Sequence, residues 1–207
     1  MDTPKKYDLM VVGELNIDLI LDQLNKAPRF GEEQRAEDMT LTMGSSTAIF
    51  ASNCTSLGSD VAFCGKVGTD NFGKYVMEAL SARGIYTDFV IVDEKLKTGA
   101  TIIFNYMNDR MMVTYPGAME SLTVEEIPTD LFKKSRHLHT SSIFFQPRIK
   151  NNLVTLFKKA KKHGLTTSMD TQWDPDEKWE LHLEKLLPEL DFFLPNEQEL
   201  LLMTATG

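Results

Sequence analysis

A stretch that changes character at Gly13 constrains the fold of this chain more than any other feature. Residues 9–12 form an unbroken apolar run, which is typical of a strand buried on both faces. Residues 14–21 then alternate, with leucine or isoleucine at each odd position, as in a strand with two different faces. Asn16 and Asp18 therefore share a face just beyond a buried strand, where open α/β sheets bind their ligands. The residues alone allow two interpretations: Asn16 and Asp18 bind the hydroxyls of a small polar ligand, or they belong to an ordinary half-exposed strand end.

The composition is that of an ordinary folded protein, and it argues against two classes of partner. With 207 residues, 42% of them hydrophobic and 25% charged, the chain can form one large domain, or one domain with a small appendage. A net charge of −8 and the lack of a basic block with interleaved aromatic residues argue against a nucleic-acid partner. No apolar run is long enough to span a membrane, and the first residues lead into a strand rather than a signal peptide. We therefore expect a cytoplasmic protein with no membrane partner.

Two cysteines and two closely spaced histidines are predicted to be structural. Cys54 and Cys64 form neither a disulfide framework nor a metal-ligand pattern, so we expect buried thiols in a reducing compartment. His137 and His139 share one face of a predicted strand. Two histidines alone do not make a metal site.

Strands alternate with helices along most of the chain, which predicts a mainly parallel sheet covered on both faces. Helices are predicted over residues 45–57, 71–83, 148–163, 178–187 and 197–203, and strands over 60–66, 89–92, 137–145, 165–170 and 190–194. A capping box, Thr123-x-x-Glu126, predicts one more short helix. Gly207 is predicted to close the last helix.

Three further β-like stretches, residues 35–43, 98–104 and 111–115, do not fit this alternation. The last two are joined at residues 108–110 by Asn-Asp-Arg, which is typical of a hairpin. We therefore place all three in a small accessory sheet beside the main body. Five methionines fall in this region and are predicted to serve lid packing or a dimer face: Met39, Met43, Met107, Met111 and Met112.

The motifs of several large enzyme families are absent, and an ordered series of other motifs is present. The chain has no P-loop, no dinucleotide-binding glycine fingerprint, no serine elbow and no H-E-x-x-H. The series that it does have is G-E-L-N-I-D (13–18), G-S-S (44–46), G-K-V-G-T-D-N-F-G (65–73), T-G-A-T (98–101), D-T-Q-W (170–173) and L-P-N-E-Q-E (194–199). In this order and spacing, the chain resembles the PfkB (ribokinase-like) family of carbohydrate kinases over nearly its whole length.

The resemblance implies an α/β fold, with a doubly wound, mainly parallel sheet and a small β-sheet lid. One ribokinase-like domain would cover residues 1–207, and residues 18–43 and 98–116 would form the lid. Members of the family bind a sugar between lid and sheet and transfer the γ-phosphoryl group of ATP to one of its hydroxyls. They often form homodimers through the lid.

The resemblance also implies roles for residues that match the sugar-binding motifs of the family. Asn16 and Asp18 match the sugar-binding pair, whose amide and carboxylate suit neighbouring hydroxyls. Gly44 and Ser45 occupy a Gly-Gly position, where bare backbone approaches the sugar. Ser45 departs from that pattern, and Ile49 stands where the family usually has an asparagine, which removes one expected polar contact.

Four other residues are candidates for the site. Asn196 and Glu199 match the N-x-x-E motif of the family, which is tied to Mg²⁺ and phosphate placement; their alternative role is an acidic helix start. Asp170 ends a predicted strand and is expected to help line the substrate site. Arg110, at the lid tip, is a candidate for contact with a substrate carboxylate or phosphate, or else a solvated hairpin charge.

The second signature of the family, D-T-x-G-A-G-D, does not occur in this sequence. In the family it supplies the anion-hole glycines and the aspartate that deprotonates the acceptor hydroxyl. We therefore expect a kinase that is truncated at the C-terminus, with the catalytic aspartate beyond Gly207, an exposed apolar sheet edge, and no activity in the 207-residue chain alone. The alternative is a non-catalytic sugar-binding or interaction module of the same fold. An unrelated dehydrogenase is disfavoured by the missing glycine fingerprint.

Overall fold

The computed structural model of the chain describes residues 4–204. Its strands are β1 (Tyr7–Val12), β2 (Asn16–Asp22), β3 (Asp38–Met43), β4 (Val61–Cys64), β5 (Lys66–Gly68), β6 (Ile91–Asp93), β7 (Gly99–Tyr106), β8 (Asp109–Tyr115), β9 (Ser135–Thr140), β10 (Thr166–Met169) and β11 (Phe192–Phe193). Its helices are α1 (Ser46–Ser56), α2 (Asn71–Ala82), α3 (Thr129–Lys134), α4 (Pro147–Lys150), α5 (Leu153–Lys162), α6 (Leu183–Leu186) and α7 (Glu197–Thr204). The prediction for Gly207 lies outside the described residues. Within 4–204, no helix has the length and apolar character needed to cross a membrane.

The central sheet has five strands, all parallel, in the order β11-β10-β9-β1-β4. Strand β4 and residues 9–12 of β1 are apolar on both faces, because each face packs against helices. One core lies under α3 and α5, and a second core lies between the opposite face and α1 and α2. The doubly wound, mainly parallel sheet predicted from the sequence is therefore confirmed. β11 is an edge strand, and Phe192 on it is exposed.

A second sheet of four strands, β3-β2-β7-β8, lies beside the central one, and we call it the lid sheet. β2 pairs in parallel with β7, and the two outer pairings are antiparallel. This register places side chains in rows across the strands. The inner face carries a polar row and, next to it, a more apolar row. The polar row is Thr42, Asp18, Thr101 and Thr114, and the more apolar row is Thr40, Ile20, Ile103 and Met112.

Several predicted boundaries are wrong. The strand predicted over 60–66 breaks at Gly65, where an added Cβ would lie 2.8 Å from the Gly13 carbonyl oxygen. The helix predicted over 148–163 is two helices, α4 and α5, separated by a turn. The strand predicted over 137–145 ends at Thr140, and a 3-10 turn follows at residues 143–145.

Two other helix predictions also need correction. Residues 178–182 are not helical, because the backbone N–H groups of Lys178 and Trp179 donate to the carboxylate of Asp174. At the predicted capping box, the Thr123 N–H does donate to Glu126 Oε2 (2.9 Å). That bond closes a turn, and the helix begins only at residue 129, after a proline.

The cysteines and histidines hold structural positions. Cys64 is buried, which raises its pKa to about 12, whereas Cys54 is only half-buried, contrary to the prediction. His137 and His139 both hydrogen-bond the Ser168 hydroxyl, at 2.6 and 2.8 Å. Burial and the neighbouring His137 lower the pKa of His139 to about 3, so its ring is neutral at physiological pH.

Candidate functional site

A cavity of about 460 Å³ opens between the inner face of the lid sheet and the main body of the protein. It is lined by Glu14, Asn16, Asp18, Ser45, Ser46, Thr101, Ile103, Met112, Thr114, Met119, Ser142, Phe145, Gln172, Trp173 and Pro175. These residues come from the β1–β2 junction, the start of α1, the lid sheet, and the segments that follow β9 and β10. The structure thus brings Asn16, Asp18 and Ser45 together at the carboxyl end of the central sheet. A larger cavity, beside α5, contains none of the predicted site residues.

Asn16 and Asp18 are joined by hydrogen bonds at the base of the lid. Asn16 Nδ2 donates to Asp18 Oδ1 and to Thr101 Oγ1, both at 3.0 Å, and Thr101 in turn lies 3.1 Å from the Thr114 hydroxyl. Burial raises the pKa of Asp18 above its ordinary value, and the Asn16 hydrogen bond opposes that rise. A carboxylate has about four acceptor sites, so Asp18 can also accept hydrogen bonds from ligand hydroxyls.

Gly44 packs directly against this pair. A Cβ at this position would lie 2.2 Å from Asp18 Oδ1 and 2.8 Å from Asn16 Nδ2, so any side chain here would displace them. Ser45, the next residue, has a φ of 71°, in the left-handed region that favours glycine. Its hydroxyl donates to the Glu14 carbonyl oxygen (2.7 Å) and accepts from the Ala48 N–H (3.0 Å), which caps α1.

Glu14 is a site residue for which the sequence analysis proposed no role. Its side chain is only 3% exposed and accepts hydrogen bonds from Ser46 Oγ (3.1 Å), from the backbone N–H and hydroxyl of Thr47, and from Gln146 Nε2 (3.2 Å). Burial raises its pKa to about 7, against the opposing effect of the Thr47 and Ser46 hydrogen bonds. The one signal in the sequence was its place on the same strand face as Asn16 and Asp18. Glu14 connects the start of α1 to the segment that follows β9.

The segment after β10 supplies another wall of the cavity. Asp174 organises it, since its carboxylate accepts the backbone N–H groups of residues 176, 178 and 179 at 2.7–3.0 Å. The buried Trp179 ring contacts Trp173 edge-on, with ring centroids 5.0 Å apart. Gln172, Trp173 and Pro175 are thereby held beside the cavity. The D-T-Q-W motif marked this segment, but the sequence analysis singled out only its first residue.

Several predicted site residues do not line this cavity, among them Asp170 and Arg110. Asp170 lies at the end of β10, where its carboxylate accepts a hydrogen bond from Gln172 Nε2 (3.1 Å). Arg110 is exposed and lines a shallow cavity at the lid tip with Asp22 and Asn105. The Arg110 charge still acts on the site from there, because it opposes the burial that raises the pKa of Asp18.

Asn196 and Glu199 contact each other at the start of α7. The Asn196 side-chain amide donates to Glu199 Oε1 (2.7 Å), the Asn196 backbone N–H donates to Oε2 (3.1 Å), and the Glu199 N–H donates to Asn196 Oδ1 (2.9 Å). Thr171 adds a third bond to the carboxylate at 2.8 Å. This is a reciprocal helix cap, and it leaves the Glu199 carboxylate about one acceptor site. That suits a water of hydrated Mg²⁺ better than direct metal ligation. Across residues 4–204, no cluster of three or more His, Cys, Asp or Glu side chains could hold a metal.

Comparisons with known proteins identify the family of the chain. Residues 6–206 match the family described as pfkB family carbohydrate kinase. An uncharacterized sugar kinase of Archaeoglobus fulgidus is 30% identical over 146 residues, which cover 70% of this chain and 57% of the relative. A ribokinase of Staphylococcus aureus is 25% identical over 200 residues, which cover 95% of this chain and 63% of the relative.

A solved structure has the same fold. The crystal structure of fructokinase with bound ATP from Xylella fastidiosa superposes with a TM-score of 0.78 at 21% identity, covering 97% of this chain and 64% of that one. This chain therefore spans 57–64% of the length of the three proteins compared. The family match covers residues 6–206, and the fold agrees with it. The chain belongs to the pfkB family of carbohydrate kinases.

Proposed function

We propose that this chain binds the sugar acceptor of an ATP-dependent phosphoryl transfer to a sugar hydroxyl, in the cytoplasm. The observation that carries the proposal is the cluster of Asn16, Asp18 and Thr101, packed under the bare backbone of Gly44. Such a cluster presents donors and acceptors at fixed positions, as recognition of a polyol requires. The names of the relatives, a sugar kinase and a ribokinase, support the same substrate class.

The phosphoryl donor in this proposal is ATP with Mg²⁺. The fructokinase of the same fold from Xylella fastidiosa is described with bound ATP. In this chain, Asn196 and Glu199 would orient a water of the hydrated metal, and Thr171, bonded to Glu199, joins them to the segment that lines the sugar cavity. When bound, Mg²⁺ neutralises charge on the transferred phosphoryl group.

A non-catalytic sugar-binding module is the second candidate, and one observation favours it for the 207-residue chain. No G-A-G-D sequence occurs in these residues, so none of them matches the aspartate that the family uses as base. Without a base and an anion hole, positioning of the sugar alone gives little rate enhancement. We therefore expect the 207-residue chain to bind sugar and not to turn over ATP.

Calorimetry with a panel of neutral sugars tests sugar binding, and a coupled assay for ADP in the same samples tests turnover. Asp18→Ala removes hydrogen bonds from the sugar to a charged acceptor. Each such bond contributes about 1.5–3 kcal/mol, so the loss of one should weaken the Kd of the sugar roughly 10- to 150-fold. Asp22→Ala, on the same strand at the lid tip, is the matched control and should bind like the wild type. If no sugar binds, or if Asp18→Ala binds as well as the wild type, the proposed site is wrong. ADP release that depends on sugar would instead reject the non-catalytic candidate.

We also propose that the chain forms a homodimer through the outer face of the lid sheet. That face carries apolar rows across all four strands, among them Leu41, Leu19, Ile102 and Val113. Val113 is 55% exposed and Met111, in the adjacent row, is 45% exposed. An exposed apolar patch that crosses four strands marks an interaction site. A second copy of the chain can bury this patch against its own outer lid face.

Sedimentation velocity tests the homodimer. Val113→Asp places a charge on the outer lid face and should convert the dimer to a monomer. Leu57→Asp, at an exposed position after α1, is the control and should remain dimeric. A monomeric wild-type chain, or a dimer that both variants retain, would contradict this interface.

A further inference from the structure

The sugar cavity has a polar half and an apolar half, and from this division we propose that the substrate is an uncharged sugar that carries a flat apolar substituent, as in a nucleoside or an aryl glycoside. The inference rests on the proposed function, because it takes the polar half as the place of the sugar ring. The cavity volume of about 460 Å³ falls in the range of sites for drug-sized ligands, which exceeds the needs of one sugar ring.

The charges around the cavity argue for an uncharged substrate. Two carboxyl side chains, Glu14 and Asp18, line it. Among the residues described, 4–204, no lysine, arginine or histidine lines it. A phosphate or carboxylate on the substrate would lose water there and face the Asp18 carboxylate with no cationic side chain in the cavity lining, which is unfavourable. Arg110 acts on Asp18 from a separate cavity at the lid tip, where it is exposed.

The rows of the lid sheet place the two halves next to each other. Asp18, Thr101 and Thr114 form one row of the inner face, and Ile103 and Met112 form the next row towards the lid tip. A sugar ring bonded to the polar row therefore directs a substituent over Ile103 and Met112. Such a ligand matches both rows, whereas a bare sugar leaves the second row facing water.

The main body supplies an aromatic side chain to the same cavity. Trp173 lines it, and its indole remains 44% exposed. The ring is held in place, because it contacts the buried Trp179, whose backbone N–H donates to Asp174 at 2.7 Å. A pre-ordered aromatic ring binds a flat partner without a further ordering cost. Trp173 and the Ile103–Met112 pair thus line one cavity from the body and from the lid.

Calorimetric titration of the full 207-residue chain with paired probes tests the inference. The first pair is ribose and adenosine, the second is glucose and phenyl β-glucopyranoside, and ribose 5-phosphate tests the charge argument. We expect at least one substituted probe to bind about tenfold or more tighter than its parent sugar, the size of one base–aromatic stack. Trp173→Ala and Met112→Ala should reduce that advantage. Leu57→Ala, at an exposed position after α1 and outside the cavity, should leave it unchanged.

Each outcome separates the inference from the function on which it rests. If a parent sugar binds through Asp18 as tightly as its substituted partner, or if ribose 5-phosphate binds tighter than ribose, the inference fails and the sugar site stands. Equal loss of parent and substituted probe in Trp173→Ala would place the indole against the sugar ring, which also overturns the inference. If no probe binds, the proposed function fails and the inference with it. Preference for adenosine alone, or for the phenyl glycoside alone, identifies the class of substituent.

Discussion

Replacement of Gly44 by alanine tests the site with the smallest possible change, a single methyl group. The added Cβ would lie 2.2 Å from Asp18 Oδ1 and 2.6 Å from Asp18 Cγ. Ordinary van der Waals contact begins near 3.4 Å, so the carboxylate has to move by about 1 Å. The φ of Gly44 lies outside the left-handed region, so alanine adds no backbone strain.

The expected effect is a loss of sugar affinity at nearly unchanged stability. Displacement of Asp18 breaks its bond from Asn16 and moves it away from the sugar hydroxyls. One hydrogen bond to a charged group contributes about 1.5–3 kcal/mol, which is roughly 10- to 150-fold in Kd. Asp18 is only half-buried and can turn into the cavity, so the free energy of unfolding should change by about 1 kcal/mol or less.

A double-mutant cycle decides whether the methyl group acts through Asp18. Calorimetry gives the Kd of a bound sugar for the wild type, Gly44→Ala, Asp18→Ala and the double variant, and urea unfolding gives their stabilities. If the carboxylate transmits the effect, Gly44→Ala should cost much less in the Asp18→Ala background than in the wild type. Full additivity, or a Gly44→Ala variant that binds within about twofold of the wild type, would refute this account of the glycine.

Three other predictions follow from individual contacts. Glu14 has a folded-state pKa of about 7, against an ordinary value of 4.5. Its contribution to the free energy of unfolding is therefore complete below pH 4.5 and is lost as the pH rises through 7. The whole loss is about 3 kcal/mol. In urea unfolding, the Glu14→Gln variant should not show this loss of stability between pH 5 and pH 8. If the variant keeps the pH dependence of the wild type, the effect does not come from Glu14. Asp174→Ala leaves three backbone N–H groups without their acceptor. It should destabilise the fold by about 2 kcal/mol and weaken the near-UV circular dichroism of the tryptophans. Asp176→Ala, the control, should have neither effect. Glu199→Ala removes the cap of α7, which should cost about 1 kcal/mol, and Glu197→Ala is its control.

The fold was predictable where local patterns and tertiary packing agree. The apolar run at residues 9–12 requires burial on both faces, and β1 accordingly lies inside a parallel sheet between two helical layers. The prediction failed where a nearby polar side chain takes over backbone groups. Asp174 holds the N–H groups of residues 178 and 179, so a segment with helical composition stays irregular. The spacing of apolar residues does not report that competition.

The proposed sugar-binding pair was predictable for a similar reason, because alternation along one strand puts Asn16 and Asp18 on one face. Their partner Thr101 was not predictable from spacing, since 85 residues separate it from Asn16 and only the parallel pairing of β2 with β7 brings them together. Glu14 presents the same difficulty. Its position two residues before Asn16 is evident, but its contacts with Thr47 and Gln146 depend on the closure of two loops.

The contacts of Glu14 also show that the geometry of the site depends on the position of the start of α1. Glu14 bonds the first turn of α1, and Ser45, which caps that helix, donates to the Glu14 carbonyl oxygen. Gly44 precedes that cap and touches Asp18. A shift of α1 by a few tenths of an ångström would therefore reach the Asp18 carboxylate through contacts that are already tight. The burial of Glu14, although it costs stability above pH 7, fixes the position of the helix start on which the geometry of Asn16 and Asp18 depends.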